Sequence, residues 1–358
     1  MAGLRTKTPM FEGTATRPPS MPYLFRIALL LLAFLPATAS QAQLERYKDS
    51  LNGSGMVTLR ATFDALEIEA VGEAWAGEPI TSQHRFCIGS CTKMFTAALV
   101  MMLAEQDQLA ISDSIGKYLP AHPNIAPDIT IQQLLNHSSG IANFTENGYI
   151  NEPFHFPHAF YNDETVLQRV DSPSFAPGTQ TRYSNTNYLL LRRIIEVVTD
   201  QPYEAALRER ILEPLKMHDT YTYYGKNIPL LAHPMINGED LHNIPKLGSN
   251  TISRGVGNLV TTAYDLNTFI RALLIDRTLI SDPTLYAMTA FENSEDKDTG
   301  LGLFAERCGG RTLIGHTGRQ VSYIAYAFAD IQEGISYVIL CNDANNDYTD
   351  AVFEGLCH

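Results

Sequence analysis

Positive charge is scarce in this sequence. Its 358 residues include 26 Lys and Arg against 39 Asp and Glu, which gives a formal net charge of −13. A chain with that charge is repelled by phosphate backbones and by anionic membrane surfaces, so we do not expect nucleic acid as a partner. Internal repeats and low-complexity tracts are also lacking. The hydrophobic share of 45% is that of an ordinary globular protein and is enough for a sizeable core.

Cysteine is sparse as well, and its placement excludes the usual metal sites. No Cys/His spacing typical of a zinc site occurs, so the sequence implies no metal. The odd number of cysteines leaves at least one thiol unpaired. Cys87 and Cys91 are interpreted as small buried apolar residues. The full set is Cys87, Cys91, Cys308, Cys341 and Cys357.

Residues 1–42 are predicted to be a signal peptide that is not part of the fold. Arg26 precedes the apolar run Ile27–Leu35, and the small residues of 37–42 offer cleavage sites. Met21 is a more natural start, which would make residues 1–20 an N-terminal extension. The apolar run is too short to span a bilayer, so we expect no stable membrane insertion after cleavage. Export to the periplasm or the medium, where cysteines can pair, is therefore expected.

The most informative segment is Ser90-Cys91-Thr92-Lys93, which precedes the apolar run 94–102. Residues three positions apart lie on one helix face, so the hydroxyl of Ser90 and the amine of Lys93 are expected to meet. An aliphatic hydroxyl needs a neighbouring base to act as a nucleophile. A lysine can be that base when burial lowers its pKa, and its apolar neighbours favour this.

Two further motifs strengthen the case. Tyr183-Ser184-Asn185 follows a Pro-Gly turn and precedes an apolar helix, and Gly315-His316-Thr317-Gly318 ends a strand-like run. Together with S-x-x-K they resemble the signature of the penicillin-recognising serine hydrolases, which include class C β-lactamases, D-alanyl-D-alanine carboxypeptidases and related esterases. Secondary landmarks of that family are also present at 86–89, 134–141 and 257–266. The resemblance covers about residue 50 to the C-terminus.

The resemblance implies a role for each motif residue. Ser90 would be the nucleophile that forms an acyl-enzyme, and Lys93 or Tyr183 its base, with Tyr183 able to act if nearby cations favour its phenolate. Asn185 would bind the substrate amide and help to position Lys93. His316, Thr317 and Gly318 would contact the substrate, and the backbone N–H groups of Ser90 and Arg319 would form the oxyanion hole. His137 is interpreted as a structural turn residue.

Two positions depart from the family pattern. Arg319 stands where relatives commonly carry a small residue, and Phe304 stands where carboxypeptidase relatives can carry an arginine that grips the terminal carboxylate of the peptide. We hypothesise that Arg319 supplies this positive charge instead. If its side chain points away, an esterase or amidase activity is favoured. His316, where β-lactamases usually carry lysine, favours the carboxypeptidase-like branch. The resemblance also implies a disulfide between Cys308 and Cys357.

Strand-like patterns lie at both ends of the mature chain around a helical middle. This order predicts an α/β (α+β) fold with one antiparallel sheet built from both termini, flanked by helices and carrying a mainly helical insert, as in the β-lactamase/transpeptidase-like architecture. The hydrolase domain is placed at 43–358, with an α/β lobe at about 43–110 and 255–358 and a helical lobe at about 111–254. The N-terminal strands are predicted at Met56–Phe63, Ala65–Val71 and Glu73–Trp75.

The sequence is therefore interpreted as that of an exported serine hydrolase that needs no cofactor. Its expected activity is that of a D-alanyl-D-alanine carboxypeptidase acting on peptidoglycan-type peptides. Esterase, D-aminopeptidase and β-lactamase activities remain alternatives, so the partner is a small peptide, an ester or a β-lactam. A binding protein without catalytic activity is an alternative of another class, but such proteins usually lose the Ser, Lys or Tyr that this chain retains.

Overall fold

The structure is a computed structural model that describes residues 44–48, 51–146, 152–223, 227–293, 298–344 and 348–357. The predicted signal peptide lies outside these residues. None of the helices in the described part of the chain has the length and apolar composition needed to cross a membrane.

A nine-stranded antiparallel sheet dominates the fold, and it is built from both ends of the chain as predicted. Its strands are β1 Gly55–Ala61, β2 Leu66–Trp75, β3 Glu78–Pro79, β9 Glu292–Asn293, β10 Asp298–Thr299, β11 Phe304–Cys308, β12 Arg311–Gln320, β13 Tyr323–Asp330 and β14 Ile335–Cys341. The N-terminal strand β1 pairs with the last strand β14, so that Val57 lies opposite Leu340. The order across the sheet is β3-β2-β1-β14-β13-β12-β11-β10-β9.

One strand prediction is wrong in detail. The segments Ala65–Val71 and Glu73–Trp75 form a single strand, β2, because Gly72 continues the strand with a φ of +89°. A Cβ at this position would lie 2.2 Å from the carbonyl oxygen of Ser54, so only glycine allows β1 and β2 to approach this closely.

Helices cover both faces of the sheet, and two smaller sheets complete the fold. The helices are α1 Thr92–Glu105, α2 Ile131–Leu135, α3 Glu152–His155, α4 Asp163–Leu167, α5 Asn185–Thr199, α6 Tyr203–Leu207, α7 Leu247–Ile252, α8 Ala263–Leu274, α9 Asp282–Met288 and α10 Tyr348–Leu356. The smaller sheets contain β4 Phe86–Cys87, β5 Tyr221–Thr222 and β8 Leu259–Thr261, and β6 Met235–Ile236 with β7 Glu239–Asp240.

The core has two parts, one on each face of the large sheet. The larger part surrounds α1, whose residues from Thr92 to Met101 are all buried. The smaller part packs the C-terminal helix α10 against the outer face of β11–β14. A disulfide between Cys308 and Cys357, with an S–S distance of 2.06 Å, ties α10 to β11. This is the pairing that the resemblance implies, and among the described residues Cys87, Cys91 and Cys341 are buried cysteines that form no disulfide.

Candidate active site

Ser90 lies in a tight turn that is held against strand β12. A 3₁₀ turn, Gly89–Cys91, precedes α1, so Ser90 sits just before the helix that the sequence predicts. A Cβ on Gly318 would lie 1.9 Å from the carbonyl oxygen of Ile88, and one on Gly89 would lie 2.5 Å from the backbone nitrogen of Arg319. Glycine at both positions therefore lets the nucleophile turn and β12 make direct backbone contact.

Lys93 is completely buried and reaches Ser90 from one helical turn away. Its Nζ lies 3.0 Å from Ser90 Oγ and 2.9 Å from the carbonyl oxygen of Val256. Burial penalises the ammonium form and lowers the pKa of Lys93 well below its ordinary value. Within the described residues no carboxylate forms an ion pair with it. An uncharged amine that donates to Val256 can direct its lone pair at the Ser90 hydroxyl.

Tyr183 completes the cluster around the nucleophile. Its hydroxyl donates to Ser90 Oγ over 2.8 Å, and the Lys93 amine lies 5.0 Å from its ring centroid. The sequence allowed a phenolate favoured by cations, but burial raises the pKa of Tyr183 and outweighs the opposing effect of its hydrogen bond to Ser90. Tyr183 is therefore a neutral hydrogen-bond donor to Ser90, and Lys93 beside it is the amine with the lowered pKa.

His137 lines the same cavity as Ser90, a position that its interpretation as a turn residue did not anticipate. Its Nδ1 accepts a hydrogen bond from the backbone N–H of Ser184 over 3.1 Å, which leaves the proton on Nε2. Its ring lies 4.5 Å from that of Tyr183, centroid to centroid. Burial is the main cause of its pKa being well below the ordinary value, with Lys93 and His316 adding to it.

Asn185 lies in the first turn of α5, at the edge of the cleft. Its Nδ2 donates to Thr145 Oγ1 over 3.3 Å, and its backbone N–H donates to Asn143. The polar partner that holds the Lys93 amine is thus the carbonyl of Val256, not the Asn185 side chain that the resemblance implies. The sequence could not identify this contact, because every residue has a backbone carbonyl. The nearest clue was the family landmark at 257–266, which begins directly after Val256.

Strand β12 carries the other predicted site residues along the cleft. His316 is buried, its Nδ1 is close to the carbonyl of Thr317, and its ring meets that of Phe304 edge-on at 4.8 Å. Thr317 and Arg319 line the large cavity beside Ser90. The thiol of Cys91 donates to the carbonyl of His316 over 3.2 Å, a second link between the nucleophile turn and β12.

Ser90 and Arg319 border two cavities of different character. The larger one, of about 1030 Å³, extends over Tyr183, Phe304 and His316 towards α10. The smaller one, of about 130 Å³, is walled mainly by apolar side chains with Asn185 and Gln320 among its polar residues. Those apolar residues are Phe144, Pro153, Ile252, Val256 and Val321. The nucleophile therefore lies where an acyl group and a leaving group can occupy separate spaces.

No group of three or more His, Cys, Asp or Glu side chains suited to a metal ion occurs within the ranges that the structure describes. The chemistry open to these residues is nucleophilic attack by an activated hydroxyl, followed by transfer of the acyl group. The fold and this arrangement define the chain as a serine hydrolase.

A sequence model of the Beta-lactamase family matches residues 64–353, and the chain belongs to this family. Penicillin-binding protein 4 of Amycolatopsis lactamdurans is 32% identical over 210 residues, which are 56% of this chain and 53% of that protein. The putative penicillin-binding protein PbpX of Bacillus subtilis (strain 168) is 30% identical over 218 residues, covering 60% and 50%. The chain spans about half the length of these curated relatives.

Solved structures cover more of the chain. A D-stereospecific amidohydrolase from Streptomyces sp. superposes with a TM-score of 0.79 and 27% identity, covering 89% of this chain and 98% of the other. The D-amino acid amidase from Ochrobactrum anthropi SV3 gives a TM-score of 0.77 at 23% identity, with coverage of 89% and 97%. The second likeness shows the fold alone, which is the predicted β-lactamase/penicillin-binding architecture.

Proposed function

We propose that this chain hydrolyses amide bonds on the carbonyl side of D-amino acid residues in small amides and peptides. The observation that carries the proposal is the buried amine of Lys93, which lies 3.0 Å from the hydroxyl of Ser90 and whose pKa is lowered by burial. Similarity to a D-stereospecific amidohydrolase supports a D-configured substrate.

In the proposed reaction, Lys93 takes the proton of Ser90 Oγ while Oγ bonds to the substrate carbonyl carbon. The developing oxyanion would be held by the backbone N–H groups of Ser90 and Arg319, whose segments are in contact. Collapse of the tetrahedral intermediate breaks the C–N bond, and the leaving amine receives the proton carried by Lys93 through Tyr183. Water then hydrolyses the ester on Ser90 and releases the acid.

The D-alanyl-D-alanine carboxypeptidase expected from the sequence is the second candidate, and the position of Arg319 favours it. Arg319 borders both cavities, and no ion pair joins it to a carboxylate in the described part of the chain. A guanidinium placed there can bind the terminal carboxylate of a leaving D-alanine. The aromatic wall formed by Phe304 and His316 suits an uncharged leaving group instead.

We also propose that the protein works outside the cytoplasm, as the apolar run Ile27–Leu35 predicts. The disulfide between Cys308 and Cys357 supports this, because such bonds persist in oxidising compartments.

The test compares hydrolysis of D-alanine amide, its L-enantiomer and an acetylated D-alanyl-D-alanine peptide, with Ser90→Ala as the control for background. We expect the D-amide to be cleaved at least about 10-fold faster than the L-amide. Cleavage of the acetylated peptide alone would establish the carboxypeptidase. Arg319→Ala should then raise KM for the peptide far more than for a neutral ester, and an equal effect on both would exclude Arg319 as the anchor.

Brief incubation with benzylpenicillin, followed by intact mass measurement, separates the remaining alternatives. A stable adduct on the wild type but not on Ser90→Ala would indicate slow deacylation, as in a penicillin-sensitive peptidase. Consumption of penicillin without an adduct would indicate a β-lactamase. Turnover of esters alone would indicate an esterase, and an adduct without turnover of any substrate would indicate a binding protein.

A further inference from the structure

Residues 253–258 cross over α1 beside the nucleophile and fix two consecutive backbone carbonyls to it. The carbonyl of Gly255 accepts a hydrogen bond from Thr96 Oγ1 over 2.7 Å, and that of Val256 accepts one from Lys93 Nζ over 2.9 Å. Lys93 and Thr96 lie about one helical turn apart, so this 253–258 segment follows one face of the helix. Its position determines where the amine of Lys93 is held.

The conformation of the segment depends on Gly255. This glycine has a φ of +68°, and its N–H donates to Asn258 Oδ1 over 3.1 Å. A Cβ there would lie 2.8 Å from both Cβ and Cγ of Arg192 on α5. The backbone of the segment therefore rests directly on the aliphatic part of a buried arginine.

An ion-pair network joins the segment to two helices. The carboxylate of Asp163, at the start of α4, accepts a hydrogen bond from Arg254 Nη2 over 2.9 Å and pairs with Arg192. Arg193 Nε lies 3.8 Å from the same carboxylate. Burial opposes the ionisation of Asp163, but these three guanidinium groups outweigh it and lower its pKa below the ordinary value. Because Arg254 directly precedes Gly255, this pairing anchors the segment next to its two functional carbonyls.

We infer that Arg254 is a positioning residue for Lys93. Its ion pair with Asp163 holds the 253–258 segment on α1, so that the Val256 carbonyl orients the amine and the segment keeps water away from it. The inference rests on the proposed function only in taking Lys93 as the base that activates Ser90. According to this inference, the ion pair between Arg254 and Asp163 influences the reactivity of Ser90 although neither residue contacts Ser90.

A loosened segment would change the ionisation of Lys93. The groups that face the amine are Ser90 and Cys91 beside it in sequence, Tyr183 and Tyr188 with their rings at 5.0 and 5.7 Å, and His137 across the cleft. None of them is an acid that would stabilise the ammonium at neutral pH. Exclusion of water is therefore what lowers the pKa of the amine, and admitting water would raise the pKa of Lys93 towards its ordinary value.

The experiment compares Arg254→Met with Arg193→Met in the full chain. Both variants remove one guanidinium from Asp163, but only Arg254 belongs to the segment that holds Lys93. The pKa of Lys93 is read directly by NMR titration of protein labelled at lysine Cε, with its signal assigned by its loss in Lys93→Ala. Hydrolysis of p-nitrophenyl acetate, corrected with Ser90→Ala, gives the pH profile of kcat/KM.

We expect Arg254→Met to raise the pKa of Lys93, to move the acidic limb of kcat/KM to higher pH, and to lower kcat/KM about 10-fold at pH 7. Arg193→Met should match the wild type, and Arg254→Lys should lie between the two because it keeps the charge. If Arg254→Met does not fold, the test uses the change in the pKa of Lys93 that is measured in Arg254→Lys.

A pKa of Lys93 that is unchanged when Arg254 is altered would overturn the inference, as would an equal shift in Arg193→Met. A lower melting temperature with an unchanged titration would show a purely structural ion pair. The NMR titration needs no substrate, so failure to cleave D-amino acid amides would refute the proposed function and leave this test intact.

Discussion

Two buried lysines in this structure have opposite surroundings. Lys93 and Lys246 are 0% and 7% exposed, and burial lowers the pKa of both. Lys246 donates to three carbonyls, those of Leu241, His242 and Ile244, at 2.7–2.9 Å. Lys93 has one carbonyl and the Ser90 hydroxyl. Three acceptors match the three protons of an ammonium, whereas the surroundings of Lys93 leave space for a lone pair.

Burial alone, therefore, does not make a lysine a base. What matters is how many acceptors surround the amine, because an ammonium with all its donors satisfied gains little by losing a proton. Lys246 stabilises the loop at 241–246 by donating to three of its backbone carbonyls, whereas Lys93 lies beside the hydroxyl of Ser90. The first two predictions remove each amine in turn with the other as its control, and the third titrates Lys93 against the wild type.

The largest effect is expected for Lys93→Met, which removes the amine and keeps the apolar part of the side chain. We expect kcat/KM for an activated ester to fall by about 1000-fold, because Ser90 then lacks its base. Lys246→Met should change kcat/KM by less than about 3-fold, since a fold-stabilising residue does not touch the reacting atoms. Steady-state kinetics on both variants provide the measurement, and comparable losses in the two would refute the distinction.

Stability should show the reverse order. Lys246→Met leaves three backbone carbonyls without their donor, so we expect the free energy of unfolding to fall by about 2 kcal/mol. Lys93→Met removes a polar group that is costly to bury and should unfold at the same or a higher denaturant concentration. Urea unfolding monitored by circular dichroism measures both. A large destabilisation by Lys93→Met would mean that its hydrogen bonds hold the fold as well as the site.

The smallest effect is a pH dependence that isolates Lys93. The unfolded chain keeps this lysine protonated up to about pH 10.4, whereas in the folded chain burial lowers its pKa well below that value. Unfolding therefore takes up a proton between the folded and the unfolded pKa, and this contribution makes the wild type more stable as the pH rises.

The unfolding free energy of Lys93→Met minus that of the wild type should accordingly fall between pH 8.5 and pH 9.5, by at most about 1.4 kcal/mol. All other titrating groups are common to the two proteins and cancel. A difference that stays constant with pH would show that Lys93 remains charged in the folded protein.

The sequence predicted what depends on side-chain pattern. Strand patterns at both ends gave the single large sheet, and the spacing of Ser90 and Lys93 placed the two side chains on one face. It could not show the Val256 carbonyl, because every residue has one, nor the ion pair of Arg254 with Asp163 across 91 positions. The sequence pattern divides β2 into two strands at Gly72. The close approach of β1 that requires a glycine there becomes visible only in the packed sheet.

The sequence also could not predict the ionisation of the groups in the site. The sequence left open a Tyr183 phenolate favoured by neighbouring cations, but burial raises the pKa of Tyr183 and lowers that of Lys93. The same burial makes His137 a neutral imidazole that faces the cavity, although its motif indicated only a turn. Desolvation depends on what surrounds a group in three dimensions, and neighbours in sequence supply only part of that.

The glycine contact between Gly318 and the carbonyl of Ile88 has a mechanical consequence. With no side chain between them, the turn Gly89–Cys91 and strand β12 are in direct backbone contact. The hydrogen bond from the Cys91 thiol to the carbonyl of His316 links them at a second point. A displacement of β12 then moves Ser90, Thr317 and the backbone N–H of Arg319 together. The cleft can widen as substrates enter and leave without separating these three groups.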